Sequence, residues 1–264
     1  MTAATSPAPP RKAGIGLIVT VYLVAYIALL DVNVVVIALP SMQSELGASG
    51  GALQWVVGAY TLCLSTLALS AGALGDRYGR KRVFLTGVAL FTLGSAICAV
   101  APSPLVLIAG RFVQGAGAAV AVPGTLSLIA QSYPDPARRA KVIGGWGTVA
   151  GVAGLTGPVL GGLLVNAFGW PSIFLINLPL GLVALVVGWR CVPESADPAH
   201  AALDPAGQAL GVLWLGALSY GLINAGDHGW NTPSTIVALA VGAVALMVFL
   251  SPPRSWPCSA PDTG

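Results

Sequence analysis

Two ionisable residues stand inside long apolar runs, and their types suit the binding and balancing of a proton. Asp31 lies within residues 14–39 and Arg111 within residues 105–130. A charge at membrane depth costs about 2.5–3.5 kcal/mol or more on insertion scales, so each needs a partner or a watery cavity. Asp31 is about eight residues from the outer end of its run, roughly 12 Å at 1.5 Å per residue, and Arg111 about six residues, roughly 10 Å. Similar depth permits the two to pair across a helix interface; the alternative is that either side chain snorkels to the outer surface. An acid facing a fixed positive charge in a cavity that opens and closes can pass between ionised and neutral forms. Asp31 is therefore expected to exchange a proton, with Arg111 as its counter-charge.

The second group is a basic cluster, Gly72-Ala-Leu-Gly-Asp76-Arg77-Tyr-Gly79-Arg80-Lys81-Arg82. Four Lys/Arg and one Asp within seven positions cannot lie in hydrocarbon, so this stretch is expected to be a short loop between two spans. Its glycines allow a tight turn and close helix approach. No other chemistry is indicated. Cys63, Cys98, Cys191 and Cys258 form no CxxC pair. His200 and His228 stand far apart, no metal site is expected, and no Ser/His/Asp cluster lies at membrane depth. A membrane-embedded enzyme is thus the weakest of the function classes, and no cofactor is expected beyond a proton gradient.

The elements that must position these residues are transmembrane helices. Charged residues are 8% of the 264-residue chain and hydrophobic residues 56%, with mean hydropathy +0.84. Soluble domains carry about 25% charged residues, so this is a polytopic membrane protein. Gly 34 and Pro 20 suit packed, kinked helices. The net charge of +3 is dispersed among loops and gives no nucleic-acid signal. Hydrophobic runs of about 20 residues predict eight spans, near residues 14–39, 53–73, 83–101, 105–130, 142–167, 173–192, 206–225 and 234–250. Pro40 is expected to end the first. A polar tail covers 1–13, a linker 193–205 and a Pro/Ser-rich tail 251–264. Arg11, Lys12, the Gly72–Arg82 cluster, Arg138, Arg139, Lys141, Arg190 and Arg254 all fall on one side. The positive-inside rule then puts both termini in the cytoplasm.

These motifs, in this order, resemble the major facilitator superfamily. Gly72 to Lys81 matches its G-x-x-x-D-R-x-G-R-[KR] loop between the second and third spans. The resemblance implies a latch between the two transporter halves, with Asp76 at a helix N-terminus of the other half. Leu30-Asp31-Val-Asn33-Val-Val-Val-Ile37-Ala-Leu-Pro40 resembles L-D-x-T-I-V-N-V-A-L-P of the fourteen-span multidrug:proton antiporters, with Asn33 for Thr and Val36 for Asn. Arg111-Phe-Val-Gln114-Gly115-Ala-Gly117-Ala-Ala resembles their fourth-span motif, whose Arg is associated with proton coupling. Gly157-Pro158-Val-Leu-Gly161-Gly162 resembles the antiporter motif, which acts through packing and bending. Phe174-Leu-Ile-Asn177-Leu-Pro179-Leu-Gly181 also fits the group, although Pro171-Ser172 replace the residues that usually follow its Trp.

The resemblance implies an all-α major facilitator fold: an amino-terminal six-helix half at 14–192 plus two additional spans at 206–250. It implies proton-coupled efflux of drugs or other small amphipathic molecules through the cell membrane. The first span of each three-span repeat carries one of the charges, Asp31 or Arg111. A complete fourteen-span member has six further spans, so the chain is expected to be a truncated or frameshifted copy, needing a missing carboxy-terminal half or self-association. A facilitator of another metabolite and a non-transporting fragment are the alternatives. Tyr22, Tyr26, Trp55 and Tyr60 are candidates for lining a substrate cavity or for packing.

Overall fold

A computed structural model describes residues 14–195 and 205–251, without the side chains of Leu69 and Pro205. The expectations for residues 1–13 and 252–264, and for most of the 193–205 linker, lie outside the described residues. Among these residues there are nine α-helices and no strand. They are α1 Ile15–Leu46, α2 Gly50–Tyr78, α3 Arg80–Ala99, α4 Pro104–Ser132, α5 Pro136–Phe168, α6 Ser172–Leu175, α7 Asn177–Cys191, α8 Pro205–His228 and α9 Pro233–Leu250. With α6 and α7 taken as one span, eight segments are long and apolar enough to cross a membrane.

Several helices run further than apolarity alone indicated. Pro40 does not end α1, which continues through it to Leu46. A proline removes one backbone hydrogen bond, and Ala38 and Met42 on either side are buried in the core, which holds the helix on course. The expected loop at 72–82 shrinks to one residue. Asp76 and Arg77 belong to the last turns of α2, Arg80 to Arg82 open α3, and only Gly79 stands between. Gly79 has φ +99°, a conformation open to glycine and strained for other residues. Arg138, Arg139 and Lys141, expected in a loop, lie in the first turns of α5, which Asp135 caps by accepting from Arg138 N at 2.9 Å. Asp227 and His228 likewise belong to the end of α8.

The sixth span breaks between α6 and α7 without leaving helical geometry, since Ile176 has φ −61° and ψ −28°. Pro179 explains the break: it has no N–H to give to the Leu175 carbonyl four residues back.

Two compact units divide the chain between Leu203 and Asp204. In the first, α1, α3 and α4 supply most of the core, with Ile173 and Phe174 from α6. Leu17, Val21, Val24, Phe84, Val88, Leu128 and Ile129 fill one end, and Leu30, Val34, Met42, Leu107, Ile173 and Phe174 the other. Helices in lipid have little hydrophobic drive to associate, so close packing over small residues must hold them. α3 and α4 show how: a Cβ on Gly94 would meet Gln114 Cα at 2.6 Å, and one on Gly117 would meet Gly87 O at 2.6 Å. The second unit is a helical hairpin. Gly229 turns it at φ +92°, and Asn224 Nδ2 donates to Ser234 Oγ at 2.9 Å and Thr235 Oγ1 at 2.8 Å.

Candidate functional site

α1 and α4 bring Asp31 and Arg111 into contact. Arg111 NH1 donates to Asp31 Oδ2. The two side chains are 1% and 0% exposed, so neither reaches the aqueous surface along its own stem. The guanidinium has further anchors: Nε donates to Val56 O at 2.9 Å and NH1 to Gln114 Oε1 at 2.6 Å. Its flat face lies 4.4 Å from the Tyr60 ring centroid and 5.9 Å from that of Phe174. Cation–π contact of this kind strengthens as water is excluded. Tyr60 is itself fixed by donating to Ala28 O at 3.1 Å.

The carboxylate is equally well held. Asp31 Oδ1 accepts from Gln114 Nε2 at 2.8 Å and from Asn177 Nδ2 at 3.0 Å. Gln114 and Asn177 both reach Ser95 Oγ, at 2.8 and 3.3 Å. A buried ion pair persists only where the remaining donors and acceptors are met as well. Five side chains from α1, α3, α4 and α7 meet that demand: Asp31, Ser95, Arg111, Gln114 and Asn177.

The family model described as Major Facilitator Superfamily matches residues 21–255. The chain belongs to the Major Facilitator Superfamily. It is 40% identical over 237 residues to a methylenomycin A resistance protein of Bacillus subtilis, covering 90% of this chain and 51% of that one. It is 40% identical over 225 residues to the multidrug resistance protein Stp of Mycobacterium tuberculosis, covering 85% and 42%. The drug efflux pump JefA of the same species is 36% identical over 222 residues, covering 84% and 44%. The chain thus spans about half the length of the curated relatives it matches. A peptide transporter, POT, in complex with sulfate shares the fold at TM-score 0.65 and 18% identity, over 92% of this chain and 53% of that one. A bacterial homologue of the lysosomal transporter Spinster does so at TM-score 0.57 and 20% identity, over 87% and 59%. The superfamily and these relatives are transporters rather than enzymes, and this member is a multi-pass membrane protein.

The other motif residues fall into three places. Gly115 and Gly117 close α4 on α2 and α3: a Cβ on Gly115 would meet Tyr60 O at 2.7 Å. Gly157 and Gly161 press α5 on α1, beside Asn33, Val34 and Ile37, whereas Gly162 has no neighbouring atom within 4 Å of a Cβ position. Pro158 is exposed within α5. The signature segment forms a separate cluster at the other end of the first unit. Asp76 accepts from Arg80 Nε at 2.8 Å, one turn on. The carboxylate at a helix N-terminus here is Glu194, beyond α7. It accepts from Lys81 N at 3.1 Å and lies 3.5 Å from Arg82 Nε, and an anion there is favoured by the helix dipole. Arg80 N donates to Ser195 O at 2.8 Å, and Lys81 Nζ to Trp189 O at 2.6 Å. Gly72 is exposed, with no atom within 4 Å of a Cβ position, and Arg77 is exposed.

The aromatic candidates pack or tie helices together. Tyr22 donates to Val142 O at 2.7 Å, Tyr26 OH lies 3.1 Å from Thr156 Oγ1, and Trp55 sits 6.2 Å from Phe112. Sequence reasoning gave no role to Ser95 or Asn177. A serine in a glycine-rich span carries no signal of its own. Asn177 stood in a recognisable stretch, and an amide in an apolar run is costly enough to have marked it.

Proposed function

We propose that this chain supplies the proton-binding amino-terminal part of an exporter that exchanges protons for drugs or other small amphipathic molecules. The observation that carries the reading is the contact between Arg111 and Asp31, both out of reach of surface water. Ionisable residues inside a membrane span are costly and mark a functional site by default, and relatives at 36–40% identity are named for resistance and drug efflux. In this reading Asp31 takes and releases the proton. Arg111 stays charged and balances the carboxylate whenever the proton has left. The transporter sits in the cell membrane with both termini cytoplasmic, as the one-sided Lys and Arg residues favour. Labelling of single cysteines at Gln43 and Ala137, in a chain lacking Cys63, Cys98, Cys191 and Cys258, checks the orientation. External reagent should reach the first and not the second; the reverse pattern overturns it.

Superfamily transport rocks one six-span half against another around a midplane site. We propose that residues 14–192 form one such half and that transport needs a second, supplied by the remainder found in the relatives or by another copy. The signature cluster at Asp76 would then latch the halves. The test places the chain in vesicles alone and together with the remaining half of the Bacillus subtilis relative, under an imposed proton gradient. The pair should move dye and the chain alone should match empty vesicles. Asp31→Asn in the pair should uncouple dye movement from the gradient. Gradient-driven movement that survives Asp31→Asn removes Asp31 from the mechanism. Movement by the chain alone shows that two copies suffice.

A further inference from the structure

Among the described residues around Asp31, one buried side-chain oxygen stands without a hydrogen-bond partner. It is Asn177 Oδ1, although Asn177 is wholly inaccessible. A buried unsatisfied acceptor costs about 1–3 kcal/mol. Its place shows what it is suited to accept. The other end of the same amide, Nδ2, donates to Asp31 Oδ1.

We infer that Asn177 Oδ1 accepts a hydrogen bond from the O–H of protonated Asp31, the amide turning over when the carboxylate becomes a carboxylic acid. The inference rests on Asp31 as the proton carrier and adds the group that receives the neutral form. The present arrangement fits the ionised carboxylate, because each of its partners presents N–H. When hydronium gives a proton to the carboxylate and leaves as water, the new O–H needs an acceptor. Oδ2 is blocked, since it faces the guanidinium of Arg111, which has only donors. The proton therefore settles on Oδ1.

Two amides stand at Oδ1, and only one is free to turn. Gln114 Oε1 accepts from Arg111 NH1 at 2.6 Å; turning Gln114 would push its NH2 against the guanidinium. Asn177 Oδ1 gives up nothing by moving. A half-turn about Cβ–Cγ brings it to the Asp31 O–H and breaks only the Nδ2 contacts with Asp31 and Ser95. The charged or titratable groups facing Asp31 from the surrounding helices are Arg111 on α4, Tyr60 on α2 and Cys98 on α3. None competes as an acceptor. Tyr60 OH is committed to Ala28 O, and Cys98 Sγ lies against Leu107 O and Gln114 Oε1. α5 carries its charges, Arg138, Arg139 and Lys141, at its far end.

The test is infrared difference spectroscopy on the 264-residue chain in lipid bilayers, with asparagine labelled by carbon-13 at the side-chain amide. Asn177→Ser identifies the Asn177 band by its loss. On acidification, the neutral-carboxyl band of Asp31 should rise together with a shift of the Asn177 carbonyl band. Both changes should vanish in Asp31→Asn. A merely structural Asn177 would leave its amide band still while Asp31 titrates, and that result overturns the inference alone. An Asn177 shift that persists in Asp31→Asn also overturns it. If the Asp31 band never appears at any pH, the proton-carrier reading fails and takes this inference with it. Should Asn177→Ser not fold, the labelled native chain and Asp31→Asn still decide.

Discussion

α4 and α5 are of similar length, 29 and 33 residues, and both are rich in glycine, yet they use it in opposite ways. α4 spends its glycines on neighbours. Gly110, Gly115 and Gly117 each bring backbone or side-chain atoms within about 3 Å of where a Cβ would stand. α5 presses three glycines, Gly145, Gly157 and Gly161, on α1, and leaves Gly144, Gly147, Gly151, Gly154 and Gly162 with nothing within 4 Å. Half of α4's most apolar window is buried, against 17% of α5's. The difference teaches that a glycine in a membrane helix marks a place where something can come close, while only the neighbours decide whether it does so within the same chain. It also explains where the polar cluster lies. Arg111 and Gln114 sit on the helix that is enclosed, because a charge without water needs partners on several sides.

The sharpest way to break the comparison is to remove the charge that α4 encloses. Arg111→Leu leaves Asp31 buried without its counter-charge, and breaking one partner of such a pair costs about 3–5 kcal/mol. The double variant Asp31→Asn with Arg111→Leu should recover most of that loss, since no lone charge remains. Reversible unfolding in lipid–detergent mixtures measures both. A double variant as unstable as the single one would mean that packing around Arg111, and not the charge, was decisive.

The next effect in size comes from filling the α3–α4 seam. Gly117→Leu would drive a side chain into Phe91 N and Gly87 O. Overpacking typically costs about 1–3 kcal/mol, and backbone atoms on the facing helix yield less than side chains. The same substitution at Gly162 on α5 meets open space and should leave unfolding unchanged. Equal losses at the two positions would erase the distinction between the helices.

Much of this was legible in the sequence. Eight apolar runs gave the spans, and the price of a charge in hydrocarbon picked out Asp31 and Arg111 as residues needing partners. What the runs could not give were helix ends, because polar turns that extend past the hydrocarbon look like loops. Arg138 and Arg139, and Asp76 and Arg77, were misplaced for that reason. Pro40 misled because a proline lowers helix preference locally while packing acts over the whole span. Ser95 and Asn177 were given no role because their contacts with Asp31 and Gln114 depend on other helices converging; only the amide of Asn177, costly in an apolar run, left a signal in the sequence.

The smallest expected effect on folding is also the most informative about α5. Leu155 and Phe168 on this helix are 79% and 77% exposed, and Gly151 and Gly154 are exposed with open space around them. Gly151→Leu and Gly154→Leu therefore remove no contact within the chain and improve helix preference, so unfolding should change by no more than about 0.5 kcal/mol. If the second six-span half of the proposed transport cycle closes against this helix, the same substitutions obstruct that closure. Gradient-driven dye movement by the paired halves should then fall severalfold while the chain alone stays as stable as before. Loss of folding would place α5 with α4 as an internally packed helix. Unchanged transport in the pair would show that the open glycines of α5 are not where the second half approaches.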